Sequence, residues 1–247
     1  MEKINNKRNP KIIHARKLGK DRSYRKLHNE FLCDGEKLFF EAINCGVDIE
    51  AVFISPESDI TIPNYISAYE ISDDIMDSIS PLKNPQDIIF VCKMPKKTSP
   101  DYSNGTHILL DCVQDPGNVG TIIRSADAFG IDSIILTGSC ADPYNPKTIR
   151  ASMGAVFRQK FAFKSPEELS NINAKFIGTA SKNDISPLYS ANLKDSIIVL
   201  GNEGQGISGA VQALCGDFIT IPLAPDSESL NVAIAASIVM YELSKDR

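Results

Sequence analysis

The chain has 247 residues, 43% of them apolar and 23% charged, with a formal net charge of −5. That length holds one large domain or two small ones, and the composition is that of an ordinary globular protein rather than a disordered or fibrous one. No apolar run reaches the roughly 18 residues of a membrane span, and Met1 to Asn6 lack the apolar stretch of a secretory signal.

The first 26 residues carry ten Lys/Arg against two acids, Glu2 and Asp21. Such clustering on an acidic chain reads either as a phosphate-binding surface or as a solvated helix face with a basic tail. From Phe31 the pattern becomes a short α/β alternation. It predicts a strand at 31–33, a helix over 36–45 with Leu38, Phe39, Ala42 and Ile43 on one face, and a strand at 51–54. A helix follows over 72–78 with Ser72 as N-cap, then a buried strand at 88–92. Residues 95–105 are rich in Pro, Ser, Asn and Gly, a linker composition. The domains expected are therefore a basic segment (1–26), a small α/β domain (27–94), the linker, and a larger α/β domain (106–247).

In the second half, strands are predicted at 107–113, 133–137, 175–180, 196–201 and 217–221. Helices are predicted at 119–129, 146–153, 165–171, 207–214 and 230–244. Ser165-Pro166-Glu167-Glu168 is a strong helix start. Strict alternation of this kind implies a parallel sheet covered on both faces. A second basic stretch, with Lys147, Arg150, Arg158 and Lys160, contains no acid between Pro143 and Pro166. The six cysteines are scattered without a Cys-x-x-Cys pair, and the three histidines show no ligand spacing. Reduced thiols in a cytoplasmic protein and no metal are expected.

Polar residues and glycines collect just beyond three predicted strands, where a parallel sheet opens its ligand crevice. The first segment is Asp115-Pro116-Gly117-Asn118-Val119-Gly120, running into Thr121-Ile122-Ile123-Arg124-Ser125-Ala126. The second is Leu200-Gly201-Asn202-Glu203-Gly204-Gln205-Gly206-Ile207-Ser208. The third is Ile221-Pro222-Leu223 followed by Glu228-Ser229-Leu230-Asn231-Val232-Ala233. Gly201, Gly204 and Gly206 spell G-x-x-G-x-G, the wrong order for a dinucleotide fingerprint, and no G-x-x-x-x-G-K-[ST] phosphate loop is present.

In this order and at these separations the three segments resemble the signature motifs of the SpoU-type (TrmH-like) RNA ribose 2′-O-methyltransferases of the SPOUT superfamily. The resemblance is specific for about residues 105–247. The region before it, notably 31–56, is similar to the L30e-like RNA-binding domain that precedes many such enzymes. The resemblance implies a parallel-sheet α/β-knot domain with a C-terminal trefoil knot. It also implies S-adenosylmethionine (AdoMet) as methyl donor, a homodimer, and structured RNA, foremost 23S rRNA, as substrate. A tRNA substrate, or a non-catalytic RNA-binding or assembly protein on the same fold, is the alternative; a small-molecule α/β enzyme would leave the basic N-terminus without a role.

By position, the resemblance assigns chemistry to Asn118, Arg124, Glu203, Ser229 and Asn231. It assigns the cofactor site to Thr179, Ala180, Leu200, Gly201, Asn202, Gly204, Ile221, Leu223, Ser229, Leu230 and Asn231. A glycine at 201 lets main chain approach the ligand closely; it also reads as a plain turn glycine. Asn118 doubles as a candidate N-cap. Arg124 fits two roles, a base for the 2′-hydroxyl or a protonated clamp on the neighbouring phosphate. Neutralising an arginine near pH 7 costs roughly 7 kcal/mol, so the protonated clamp stands at least level with the base, and the sequence does not separate the two. Leu223 and Pro225 stand where family members often carry methionine and glycine. The basic clusters nominate Lys11, Arg16, Lys17, Arg22, Arg25, Lys147, Arg150 and Arg158 for RNA. Neither a metal nor a membrane is implied.

Overall fold

The computed structural model describes residues 1–82, 85–96, 100–181 and 185–245. The middle of the expected linker, 97–99, lies outside the described residues. The chain divides into two compact units. Unit 1 comprises residues 1–96 and 142–157, and unit 2 the remainder.

Unit 1 is built on a five-stranded sheet of β1 (Glu2–Ile4), β2 (Glu30–Asp34), β3 (Ile49–Ile54), β4 (Ala68–Ile71) and β5 (Ile88–Lys93), in the order β1-β4-β3-β5-β2. β5 runs antiparallel to both β2 and β3, while β1, β3 and β4 are parallel. The strands and helices expected between 31 and 92 are present, with α3 at Glu36–Asn44 and α4 at Asp73–Ile79. The basic N-terminus is folded rather than a tail. It forms β1, α1 (Pro10–Lys20) and α2 (Arg22–His28).

Local chemistry explains these two helices. Asn9 accepts from the Lys11 amide with Pro10 in the first turn, and Asp21 accepts from the Ser23 and Tyr24 amides to start α2. Ile12, Ala15 and Leu18, at helical spacing, enter one core with Ile4, Leu32, Phe53, Ile71, Ile75 and Ile89. The lysines thus occupy the outer face of helices whose inner face is core. α6 (Pro146–Ser152), capped by Asn145, also belongs to unit 1.

Unit 2 carries a wholly parallel seven-stranded sheet: β6 (Thr106–Asp111), β7 (Ser133–Thr137), β8 (Phe161–Phe163), β9 (Lys175–Thr179), β10 (Ser186–Pro187), β11 (Ser196–Leu200) and β12 (Asp217–Thr220). Their order is β10-β12-β9-β11-β6-β7-β8. All five predicted strands appear; β8 and β10, of three and two residues, are too short to show a period. Leu109, Ile135, Ile197 and Val199 pack on one face with Leu169 of α7 (Pro166–Leu169) and Val211 of α8 (Gly209–Gln212). The alternate residues Ile108, Leu110, Ile134 and Leu136 are buried on the other. α5 (Pro116–Ala128) packs against α9 (Val232–Ser244). From β6 the chain steps to β7 and β8 on one side, then crosses to β9, β11 and β12 on the other. The direction of winding therefore reverses between β6 and β11, the position where open α/β sheets bind ligands.

Candidate functional site

A cavity of about 720 Å³ opens beyond the carboxyl ends of β9, β11 and β12, within the 300–1,000 Å³ range of small-molecule sites. Residues 179–181 with Ile185, the 200–207 loop and residues from 219 to 230 wall it. Ten of the eleven residues expected at the cofactor line it: Thr179, Ala180, Leu200, Gly201, Asn202, Gly204, Ile221, Leu223, Ser229 and Leu230. Asn231 does not; its neighbour Val232 does. Sequence reasoning missed Ile185, Phe218, Ile219 and Glu228, which share the wall. The alternation around β12 was the available signal for Phe218 and Ile219.

The glycine loop after β11 is held by its own groups. Asn202 and Gly206 exchange two backbone hydrogen bonds of 2.9 Å. The Asn202 carboxamide accepts from the Gly204 and Gln205 amides and donates from Nδ2 to the Cys112 carbonyl at 2.9 Å. Gly201 is required by this fold-back. A Cβ there would lie 2.2 Å from the Gly206 carbonyl carbon and 2.3 Å from the Ile207 nitrogen. The missing side chain thus makes room for the loop's own backbone, a different reason from close approach to a ligand.

Asn118, Glu203 and Asn231, from three separate segments, form one directed chain of hydrogen bonds. The Ala233 and Ile234 amides donate to Asn231 Oδ1, which caps α9. Asn231 Nδ2 donates to Asn118 Oδ1 at 3.0 Å, and Asn118 Nδ2 donates to Glu203 Oε1 at 2.6 Å. Every amide orientation is fixed by its neighbours, and the chain ends on a carboxylate, so the bonds polarise one another in one direction. The N-cap of α5 is Asp115, not Asn118. Asp115 accepts from the Asn118 amide, and this leaves the Asn118 side chain free for the relay.

Arg124 is exposed on α5, on the stripe that includes Gly117 and Thr121, about 9 Å along the axis from Asn118. It has no hydrogen-bond or ion-pair partner among the described residues. Ser229 is exposed on the third loop. Neither Arg124 nor Asn118 lines the cavity itself.

The residues nominated for RNA divide sharply. Lys11 and Lys17 are exposed, each with its ammonium over a tyrosine ring, of Tyr69 and Tyr24 respectively. Lys147 and Arg150 are exposed on α6. Arg16 is half-buried and donates to the Ser78 carbonyl and hydroxyl; Arg22 is half-buried. Arg158, exposed, forks onto Asp127. Arg25 is a correction. It is 2% exposed, and its guanidinium donates to Asp142 Oδ2 at 2.9 and 2.7 Å and to the Leu18 carbonyl at 2.7 Å. Its charge is neutralised inside unit 1 and presents nothing to a phosphate.

Among the described residues no helix is long and apolar enough to cross a membrane, and no cluster of side chains is arranged to hold a metal ion.

Comparison with known proteins gives a consistent picture. The family model described as SpoU rRNA Methylase matches residues 105–241, and that of an MRM3-like substrate binding domain matches residues 9–89. The 23S rRNA (guanosine(2553)-2′-O)-methyltransferase RlmP of Bacillus subtilis is 32% identical over 98% of this chain and 99% of its own. The 23S rRNA (uridine(2479)-2′-O)-methyltransferase of Streptomyces viridochromogenes is 32% identical over 66% of this chain and 61% of its own. Among solved structures, the AdoMet-bound rRNA methyltransferase from Sinorhizobium meliloti superposes with a TM-score of 0.85 at 27% identity, covering 99% of this chain and 98% of that one.

Proposed function

The chain belongs to the SpoU rRNA Methylase family, and from that premise we propose that it transfers a methyl group from AdoMet to a ribose 2′-hydroxyl of structured RNA, with 23S rRNA the substrate. The observation that carries the reading is the convergence of Asn118, Glu203 and Asn231 beyond the carboxyl ends of β6, β11 and β12, beside the loops that enclose the cavity. The cavity suits AdoMet. Its aliphatic wall (Leu200, Ile219, Ile221, Leu230) takes an adenosine, and the carboxylates of Glu203 and Glu228 complement a cationic ligand. When bound, AdoMet supplies an electrophilic methyl on its sulfonium.

The chain's own part is alignment. Arg124, unpaired and exposed, grips the phosphate beside the target ribose as a protonated fork and presents the hydroxyl in line. The relay from the α9 N-terminus through Asn231 and Asn118 fixes Glu203 at the reaction edge, with Ser229 on the facing loop. RNA capture is assigned to unit 1 through the outer faces of α1 and α6, and methyl transfer to unit 2.

A homodimer belongs to the same reading. Ile234 and Tyr241, each 53% exposed, lie seven residues apart on α9 with half-buried Ile238 between them. An apolar stripe of this kind on a helix end suits a second copy. The C-terminal segment through α9 is taken to thread as a trefoil knot, and the protein to work in the cytoplasm. Light scattering tests the dimer: a mass of 27.0 kDa for active protein would exclude it. The function is tested by mapping 2′-O-methylation in 23S rRNA and tRNA from cells with and without the protein. One 23S ribose is expected to lose its methyl and regain it with purified protein and AdoMet; no change in rRNA would refute the substrate.

A further inference from the structure

The C-terminal end of β6 combines two locally unfavourable features. Asp111 is 2% exposed, and the described residues place no cation against it. An unpaired carboxylate in the interior is costly. Cys112, next in sequence, sits in the left-handed region at φ 58°, which costs a non-glycine residue of order 1 kcal/mol. Gly138 accommodates this bend, since a Cβ there would lie 2.4 Å from the Cys112 sulfur.

Both features resolve in the same place. β6 and β11 are parallel neighbours, with Leu110 beside Leu200, so the loop leaving β11 begins next to Asp111. The Cys112 carbonyl receives Asn202 Nδ2 at 2.9 Å, at the loop's entry. Asp111 Oδ2 accepts the Ser208 amide at 2.6 Å, at the loop's exit. The distance is that of a strong, charge-assisted bond. The carboxylate's field also reaches Cys215, where burial first and Asp111 second push the thiol up to about 11. Between these two feet stand Glu203 and the main chain that lines the cavity.

We propose that Asp111 is a positioning residue: with the Cys112 carbonyl it clamps both ends of the 201–208 loop, preforming the cofactor wall and holding Glu203 against Asn118. The assignment rests on the AdoMet reading of the cavity, but its geometry stands apart from it. Preformed loops raise affinity by removing the ordering cost from the binding step. A neutral amide at 111 would still accept from Ser208, whereas a methyl would not.

The test uses full-length wild type, Asp111→Asn and Asp111→Ala, each checked by thermal unfolding without ligand. Backbone amide exchange in the ligand-free proteins is read first. Asp111→Ala is expected to speed exchange across 203–208 at least tenfold, with Asp111→Asn close to wild type. Equal exchange in all three overturns the clamp whatever the cavity binds. AdoMet titration follows: Asp111→Ala is expected to weaken binding by tenfold or more and Asp111→Asn by no more than about threefold. Asp111→Ala is expected to unfold at a somewhat lower temperature, since it loses the Ser208 bond, and Asp111→Asn close to wild type. A loss of affinity that merely tracks a loss of stability, equal in both variants, would also overturn the proposal. Wild type failing to bind AdoMet would instead sink the cofactor reading and leave the exchange result standing.

Discussion

Replacing Gly201 by alanine isolates the part of the site that depends on backbone packing alone. The added Cβ would meet Gly206 C at 2.2 Å, Ile207 N at 2.3 Å and Gly206 O at 2.5 Å, all main-chain atoms that cannot swing aside as a side chain would. Relief requires opening the fold-back, which breaks the two Asn202–Gly206 hydrogen bonds. At about 1 kcal/mol for each bond, plus up to about 2 kcal/mol of overpacking left unrelieved, the loop is displaced at a cost of about 2–4 kcal/mol. The change is local, because residues 203–206 are exposed and carry none of the core. The protein therefore folds, while AdoMet affinity falls by about 30- to 800-fold. Calorimetric titration alongside a thermal melt is the assay. A folded Gly201→Ala protein that binds AdoMet like wild type would show that the observed loop conformation is not the binding one. Because the methyl meets the loop's own backbone, valine is expected to add little beyond alanine.

Arg124→Ala is expected to lower kcat/KM for RNA by about 10–150-fold, the value of a lost charge-assisted hydrogen bond of about 1.5–3 kcal/mol. AdoMet affinity should stay within a few-fold, and near-normal turnover would remove the clamp. Arg25→Ala is expected to cost unit 1 about 3–5 kcal/mol by stranding Asp142 and the Leu18 carbonyl. Arg25→Met with Asp142→Leu should recover most of that in a denaturant melt, and a single-variant loss under about 1 kcal/mol would count against the pair. Lys11→Ala and Lys17→Ala should each reduce the log–log salt slope of RNA binding by roughly 0.7–0.9. An unchanged slope would move capture to Lys147 and Arg150. Deleting residues 1–26 is not a clean test, since it removes Ile12, Ala15 and Leu18 from the core.

What the sequence determined alone follows from period and punctuation. The parallel sheet of unit 2 was legible because its strands are buried on both faces and read as continuous aliphatic runs closed by polar turns. The cavity wall was legible in two parts: strand exits of such a sheet open onto its crevice, and the resemblance of the three motifs nominated the individual residues. The α1–α2 pair was encoded too, by Asn9-Pro10, by Asp21 and by Ile12, Ala15 and Leu18 at helical spacing, but the density of lysine hid an amphipathic pattern.

Tertiary structure decided everything that depends on residues distant in sequence. Nothing local distinguishes Arg25 from the other basic residues around it; only the arrival of Asp142 makes it an interior ion pair. The sharing of Asn118 between Glu203 and Asn231, 85 and 113 residues away, depends on two helix N-termini and the loop after β11 meeting beyond the strand ends. Gly201 shows the same division at a single position. Its sequence announces a residue without a side chain, but only the returning backbone of Gly206 and Ile207 shows which atoms occupy the space.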